Sequence, residues 1–487
     1  MHYGGIPLYT YQDFESADDR TAFIAKAIND HRASHAYKRA VDAKLYDQQQ
    51  NVTINNVVHY IYTAAGIKME DPTSSNNKIA SNFFHRLNTQ RVSYLLGNGV
   101  SFVDHVIEVK GEDGEPVKID QTKETLGDDF DTRAFDIVYS GEISGKSYCY
   151  VTYDSEEGYS FYLFPFTEFV PLVDETDRRL RAGIRFWSLD WERRPITAVL
   201  YEADGITRYR TKPGSKGLDL VVVESKHPYN KVILTTDAEG SEVIGYENRF
   251  SDLPIIPYYG KDERSTLDGM QASIDSYDLI QSGFANDLQD CAQIYWLVGG
   301  SLGMDDNALK KFRERLLFQH IGVADLDNSS VTPYTQQIPY EARVAYLKHI
   351  RNSIYEGFGA LDVTNINSGD RTATEIEAAY EALEQEADAL EGRVTDFIRR
   401  LLKLLGIKDV PQYKRNRISN QLEQTQMIIM AAEHLSERAI LEKLPWVTVD
   451  EVDKILAERD GEIDERHEDE EDRSLDNGSM LEAGEIM

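Results

Sequence analysis

Thr372-Ala-Thr-Glu-Ile-Glu-Ala-Ala-Tyr-Glu-Ala-Leu-Glu-Gln-Glu-Ala-Asp-Ala-Leu-Glu-Gly-Arg-Val-Thr-Asp-Phe-Ile-Arg-Arg-Leu-Leu-Lys-Leu-Leu405 repeats its apolar residues at Ile376, Tyr380, Leu383, Ala387, Leu390, Val394, Phe397, Leu401 and Leu404. Steps of four and three alternate throughout, which is the seam of one long helix. Thr372 and Glu375 have capping-box spacing, and Gly406 can close the far end. At 1.5 Å per residue the helix is roughly 50 Å long, too long for an average compact domain, so the chain reads as a strut in a larger assembly. Immediately upstream lies a polar loop, Asp362-Val-Thr-Asn-Ile-Asn-Ser-Gly-Asp-Arg371.

The chain has 487 residues, room for two to four domains, and a formal net charge of −32. That charge argues against tight gripping of nucleic acid, which needs clustered Lys and Arg, but permits a surface that DNA slides past. The 28 tyrosines suit large, partly wet interfaces as well as a general surface role. Two cysteines, Cys149 and Cys291, build neither a disulfide framework nor a thiolate metal site, so a reducing compartment is expected. The N-terminus shows no signal peptide, and no apolar run reaches a membrane-spanning length.

Outward from the long helix, the pattern predicts a helix from Ser16 to about Tyr46, a second from Ser81 to Leu96 ended at Gly97, and a β-rich region from about Ala134 to Tyr259. Spacing of 3 and 4 returns from Leu267 to Cys291, giving a helix over about 266–292 with Asp275, Ser282, Asn286 and Asp290 off its seam. A compact insert follows, with a strand at Ile294–Val298, a helix at Asp305–Gln319 and strands near Ile321–Gln337. Tyr340 to Gly357 is another helix. Beyond Gly406 come Pro411 and shorter helices at Gln424–His434, from Ser436 and at Val449–Arg459. A largely acidic stretch from Glu458 to Asp472 is expected to be disordered.

No P-loop, dinucleotide fingerprint, HExxH, CxxC or GxSxG is present. Gly97-Asn-Gly-Val-Ser101 lacks the strand and helix that a phosphate loop needs and reads as a helix-ending turn. Asp128, Asp129 and Asp131 either bind a divalent ion or form a solvated loop, the latter favoured in so acidic a chain. His31 and His35 have helical metal spacing without a third ligand. Lys310, Lys311, Arg313 and Arg315 form a basic cluster that is either a solvated face or a contact for an acidic or phosphate surface. Arg343, Lys348 and Arg351 are a second local excess of positive charge.

The order of elements resembles the portal proteins of tailed bacteriophages, particularly those of siphophages of Gram-positive hosts. Asn88-Thr-Gln-Arg-Val-Ser-Tyr-Leu-Leu-Gly-Asn-Gly-Val-Ser-Phe102 resembles that family's helix-to-wing segment. Leu253-Pro-Ile-Ile-Pro257 followed by Ile274-Asp-Ser-Tyr-Asp-Leu-Ile-Gln-Ser-Gly-Phe-Ala-Asn-Asp287 resembles the approach to its stem. Arg371-Thr-Ala-Thr-Glu-Ile376 and Leu435-Ser-Glu-Arg-Ala-Ile-Leu-Glu-Lys-Leu-Pro-Trp-Val447 resemble segments after its tunnel loop and in its crown. The likeness covers roughly residues 20 to 460, and the first ~20 residues and the acidic tail match no part of the pattern.

The resemblance implies an α+β portal-like fold. Its parts would be a mixed α/β wing (1–264), stem helices (265–292 and 340–357), a small α/β clip (293–339), a tunnel loop (358–372), a long wing/crown helix (373–405), a helical crown (406–460) and an acidic tail (461–487). It implies a homo-oligomeric ring of about twelve copies at a capsid vertex of the virion, assembled in the host bacterial cytoplasm. Double-stranded DNA would pass the tunnel-loop residues Asn365, Asn367, Ser368, Asp370 and Arg371, with Arg343, Lys348 and Arg351 as stem-lumen candidates. Lys310, Lys311, Arg313 and Arg315 would contact partners through the clip, and Tyr380, Leu383, Leu390, Val394 and Phe397 would pack between ring neighbours. The terminase large subunit, a head-completion or adaptor protein, scaffold and major capsid protein are the implied partners, with no membrane. The resemblance also implies a non-enzyme with no cofactor or metal. The alternatives are a coiled-coil scaffolding or adaptor protein that never contacts DNA, and an enzyme with an unrecognised carboxylate site on the β-rich domain.

Overall fold

The structure is a computed structural model of the whole chain. It describes residues 9–62, 66–71, 74–110, 116–154, 158–188, 196–212, 215, 217–236, 242–291, 295–299, 307, 311, 330–334, 339–362, 373–415, 440–441, 452 and 455–456. Helices and antiparallel strands are interleaved, as an α+β fold requires.

The N-terminal run forms three helices rather than one: α1 (Tyr11–Glu15), α2 (Arg20–Ala33) and α3 (His35–Asp47). Ser16 ends α1 instead of starting a helix, and Asp19 caps α2 by accepting the N–H groups of Thr21 and Ala22. Ser34 makes the second break. Its backbone is extended, and its hydroxyl accepts the Tyr37 N–H at 3.1 Å while donating to the His31 carbonyl at 2.6 Å. His31 is no metal candidate. It is buried with Nε2 2.9 Å from the Phe166 carbonyl oxygen, and burial pushes its pKa down to about 4.

Helices α1 and α2 lie on a five-stranded meander, β8 (Phe169–Val173), β9 (Leu180–Trp187), β10 (Thr197–Glu202), β11 (Gly205–Thr211) and β12 (Leu220–His227). Every residue of central β10 is buried, whereas β11 alternates buried and more exposed positions. The opposite face meets a three-stranded sheet of β15 (Ile255–Tyr259), β6 (Lys146–Asp154) and β7 (Gly158–Pro165), through Tyr148, Phe164, Phe169 and Tyr201. Two small hairpins precede these sheets, β1 (Tyr60–Tyr62) with β2 (Lys68–Glu70) and β4 (Val106–Lys110) with β5 (Pro116–Asp120). A further hairpin, β13 (Asn230–Thr236) with β14 (Glu242–Glu247), follows β12.

The sequence reading missed two short helices, α4 (Val52–Asn55) and α6 (Gln121–Leu126), and one longer helix. After the short α4 (Val52–Asn55), α5 (Phe83–Leu96) and α6 (Gln121–Leu126), α7 spans Phe130–Ser144. Phe130, Ala134, Ile137, Val138 and Gly141 are its buried row, a helical spacing hidden beside the aromatic strands that follow. Asp131 serves the fold, with Oδ1 accepting the Val100 N–H at 3.0 Å and Oδ2 pairing with Lys123 at 2.9 Å.

Helix α8 covers Gln271–Cys291, starting later than the pattern suggests because Ser265–Met270 forms turns. It pairs with α9 (Tyr340–Phe358), burying Ile274, Ile350, Ile354 and Phe358 with Tyr46 and Phe84. The off-seam polar residues of α8 hold an extended segment. Asn286 Oδ1, Ser282 Oγ and Asp278 Oδ1 accept the N–H groups of Asn77, Ile79 and Ser81 at 2.6, 2.9 and 2.9 Å. Two residues of extended chain and four of helix cover nearly the same length, roughly 6 to 7 Å, so the two rows stay in register.

Between α8 and α9, β16 (Tyr295–Gly299) pairs with β17 (Ser330–Tyr334). The expected insert helix at 305–319 and the helices beyond residue 420 lie outside the described residues, apart from short helical pieces at 307, 311, 440–441, 452 and 455–456. The long helix α10 runs from Ala373 to Leu405, within one residue of the sequence expectation, and Gly406 follows at φ 75°. The chain then returns: β18 (Pro411–Tyr413) pairs with β3 (Val100–Phe102).

Asp409 fastens that return. Its buried carboxylate accepts Thr122 Oγ1 at 2.6 Å and the N–H groups of Asp104 and Val410, beside His105. Burial alone would raise its pKa, but these hydrogen bonds prevail and hold it at about 2. Because that value lies below the ordinary carboxylate value, the stabilisation is complete above about pH 4 and disappears as pH falls towards 2. Asp409→Asn should lose roughly 2 kcal/mol at pH 7 in denaturant unfolding, with the gap to wild type closing towards pH 2. A gap independent of pH would contradict the assignment.

Candidate functional site at the loop junction

Helix α5 holds the end of α9, where the polar segment 363–372 begins, and also binds α10, which follows that segment. Asn365, Asn367, Ser368, Asp370 and Arg371 lie outside the described residues, whereas Phe358–Asp362 and α10 are described. Gly359 ends α9 at φ 66° and donates its N–H to Glu356. A side chain there would bring its Cβ within 2.8 Å of Glu386 Cγ and 3.3 Å of the Ala382 carbonyl oxygen, so α9 ends against α10 at a spacing that glycine allows.

Gln90 then binds the chain as a strand would. Its Nε2 donates to the Leu361 carbonyl and its Oε1 accepts the Leu361 N–H, both at 3.0 Å. Arg91 Nη2 donates to the Phe358 carbonyl at 2.7 Å, and its guanidinium lies 3.9 Å from the Phe358 ring centroid. One turn later Tyr94 donates to Glu384 of α10 at 2.9 Å. Arg351 reaches forward from α9 to Asp362 at 3.0 Å.

Beneath these contacts is a buried ion network, in which Glu142 Oε2, Arg91 Nε and Arg393 Nε make no hydrogen bond among the described residues. Glu142 of α7 is fully buried. Its Oε1 accepts from Tyr258 Oη at 2.7 Å and from Arg393 Nη2 at 3.1 Å, and Oε2 lies 3.9 Å from Arg91. Arg91 also pairs with Glu386 at 3.2 Å, giving two cations and two carboxylates across α5, α7 and α10. Gly141 makes the network possible, because a Cβ there would stand 2.2 Å from the Tyr258 ring. Burial lowers the Arg91 pKa against the opposing pull of Glu386 and Glu142, and Arg remains charged. Arg393 moves upward: burial opposes the shift, but Glu142 and Tyr258 outweigh it. Burial followed by the neighbouring carboxylate holds the Tyr258 hydroxyl well above its ordinary value, so it stays protonated and can donate to Glu142.

The seam residues have a different role from the one expected. Tyr380 and Leu383 pack with Tyr94 and Leu361, while Leu390, Val394 and Phe397 enter the core with Val92, Val138, Cys149 and Tyr258. A ring neighbour is not needed to bury them, since α5, α7 and β15 of the same chain do so. The basic trio also changes character. Arg343 is paired with Asp287 and Arg351 with Asp362, leaving Lys348 exposed without an ion pair among the described residues. Lys311 is exposed, and Lys310, Arg313 and Arg315 lie outside the described residues.

Sequence reasoning missed Gln90, Glu142, Glu386 and Arg393. Arg91 stands at helical spacing with Phe84, Leu87 and Leu95 in the sequence. A charged residue in such a row calls for a buried partner, which was the available signal. The arrangement positions helices and offers no nucleophile paired with a base. Among the described residues no group of three His, Cys, Asp or Glu could hold a metal, and no helix is long and apolar enough to cross a membrane.

The family model described as phage portal protein, SPP1 Gp6-like, matches residues 26–465. The portal protein of Clostridium phage phiCD119 is 23% identical over 406 residues, covering 79% of this chain and 85% of that protein. The portal protein of Bacillus phage SPP1 is 24% identical over 392 residues, covering 79% and 72%. A solved chain titled as the neck of a native GTA particle computed with C12 symmetry overlaps 74% of this chain and 89% of its own length, at 12% identity and a TM-score of 0.39.

Glu142→Ala should cost about 3–5 kcal/mol in denaturant unfolding, since two buried arginines lose a partner. Replacing both ends of the pair, Glu142→Leu with Arg393→Met, should recover much of that loss, because no buried charge is then stranded. A loss below about 1 kcal/mol for Glu142→Ala would show that the network does not hold these helices together.

Proposed function

The chain belongs to the family of SPP1 Gp6-like phage portal proteins, and from that premise we propose that about twelve copies close into a ring at one capsid vertex, forming the channel for double-stranded DNA packaging and ejection. The observation that carries this reading is the junction. A polar loop between two helices that are both braced on α5 can meet a passing duplex while those helices keep their places. In this reading residues 1–264 form the wing, 265–292 and 340–357 the stem, 293–339 the clip, 358–372 the tunnel loop, 373–405 the long helix, and 406–460 the crown.

Charge supports a conduit rather than a clamp. Twelve copies at −32 each would carry about −384. Arg343 and Arg351 are neutralised within the chain, which leaves Lys348 as the stem cation for a weak phosphate contact. Tight phosphate binding would stall translocation. The basic residues Lys310, Lys311, Arg313 and Arg315 are assigned to clip contacts with the terminase large subunit and, later, a head-completion or adaptor protein. Scaffold and major capsid protein are the partners during assembly in the host cytoplasm. The motor supplies ATP hydrolysis, and this chain supplies no chemical step. A free coiled-coil scaffold is disfavoured because α10 buries its seam in a core that includes strands of its own chain.

Asn365→Lys with Asn367→Lys should slow or stall packaging in an in vitro motor assay, whereas Asn365→Ser with Asn367→Ser should be tolerated. Rings should form in both. Equal packaging rates for the two pairs would remove the loop from the DNA path.

A further inference from the structure

Helix α3 buries Ala40, Ala43 and Tyr46 and turns a second face to an open trough. Tyr37, Val41, Lys44, Leu45 and Gln48 stand along that face at helical spacing. Phe186 and Trp187, at the end of β9, form the facing wall. The trough has a volume of about 340 Å³. It follows α3 for roughly 16 Å at 1.5 Å per residue. A small-molecule site encloses most of its ligand, whereas a trough open along its length leaves one side of its occupant in water.

Two cations line it without an anion. Arg32, at the end of α2, makes no hydrogen bond or ion pair among the described residues, and its guanidinium lies 5.0 Å from the Phe186 ring centroid. Its Nε is enclosed without a partner, so the charge meets the trough through the two η nitrogens. Lys44 is exposed and has no ion pair among the described residues. The one acid of the lining, Glu168, lies 3.6 Å from Arg185 Nη2. In a chain of 84 acidic and 52 basic residues, two cations that face one trough without a carboxylate stand open to an anion from outside the chain. A phosphate backbone fits poorly, because it needs a row of cations, and here Glu168 and apolar walls interrupt them. A carboxylate fits well. One planar guanidinium can take it in two parallel bonds, while Val41, Leu45 and Trp187 offer apolar surface to the side chain beside it.

We propose that this trough docks an acidic segment of a partner protein, an extended peptide whose carboxylate pairs with Arg32 and whose neighbouring aliphatic side chain lies against Leu45 and Trp187. About five extended residues match its length. The contact is separate from the polar loop and from the channel reading above. The probe is a fluorescent five-residue peptide with blocked ends, a central leucine, an aspartate on each side of it and serine at both ends. Its counterpart carries asparagine in place of aspartate. Anisotropy is followed on the full chain, with melting curves to establish that each variant folds. The expected result is saturable binding of the aspartate peptide and none of the asparagine peptide at the same concentration. Affinity should fall roughly tenfold in Arg32→Gln and by less in Lys44→Gln, while Lys38→Gln, outside the trough on the same helix, changes nothing. No binding to wild type, equal binding of the two peptides, or an Arg32→Gln variant as good as wild type would overturn the proposal. Tighter binding of a single-stranded oligonucleotide that also depends on Arg32 would overturn it in favour of a phosphate site.

Discussion

A carboxylate with no exposed surface, such as Glu142, is stable only where cationic or strongly donating groups are fixed around it. Tyr258, Arg393 and Arg91 supply those groups from β15, α10 and α5. The requirement works both ways. Each partner must be held where Glu142 needs it, so the network fixes the spacing of three elements that are distant in sequence. Arg91 extends the constraint to the end of α9 through the Phe358 carbonyl, and from there to the point where the polar loop begins.

This arrangement braces the end of α9 and the body of α10 against one helix, α5. Gln90, Arg91 and Tyr94 occupy successive positions on one face of α5 and touch both helices flanking the loop. The polar register of Asp278, Ser282 and Asn286 secures the outer side of α8 in a similar way. Apolar burial supplies most of the cohesion. The directional bonds decide where the helices end and how they face one another.

The sequence was most legible where one periodicity ran uninterrupted. The long helix and the Tyr340 helix stand close to their expected bounds, and the β-rich region holds the strands from β6 to β15. Hydroxyl geometry defeated the reading at Ser34, because a serine within a helical pattern becomes a cap only when its backbone turns extended. Helix α7 was lost because its row runs directly into aromatic strand residues. The seam of α10 was visible, but its partner was not, since spacing shows that a face is buried without showing what buries it. The junction was hardest to see: its residues lie at 90–94, 142, 258, 358–361 and 384–393, and no local window joins them.

The central claim is that one chain buries the α10 seam by itself. Hydrogen exchange of the amides from Tyr380 to Leu402 tests it most directly, measured on monomers at dilution and on assembled rings. The account predicts slow exchange in both, with protection in the monomer approaching that of its global unfolding. Rapid exchange in the monomer, with protection appearing only on assembly, would contradict it and return the seam to the interface between subunits.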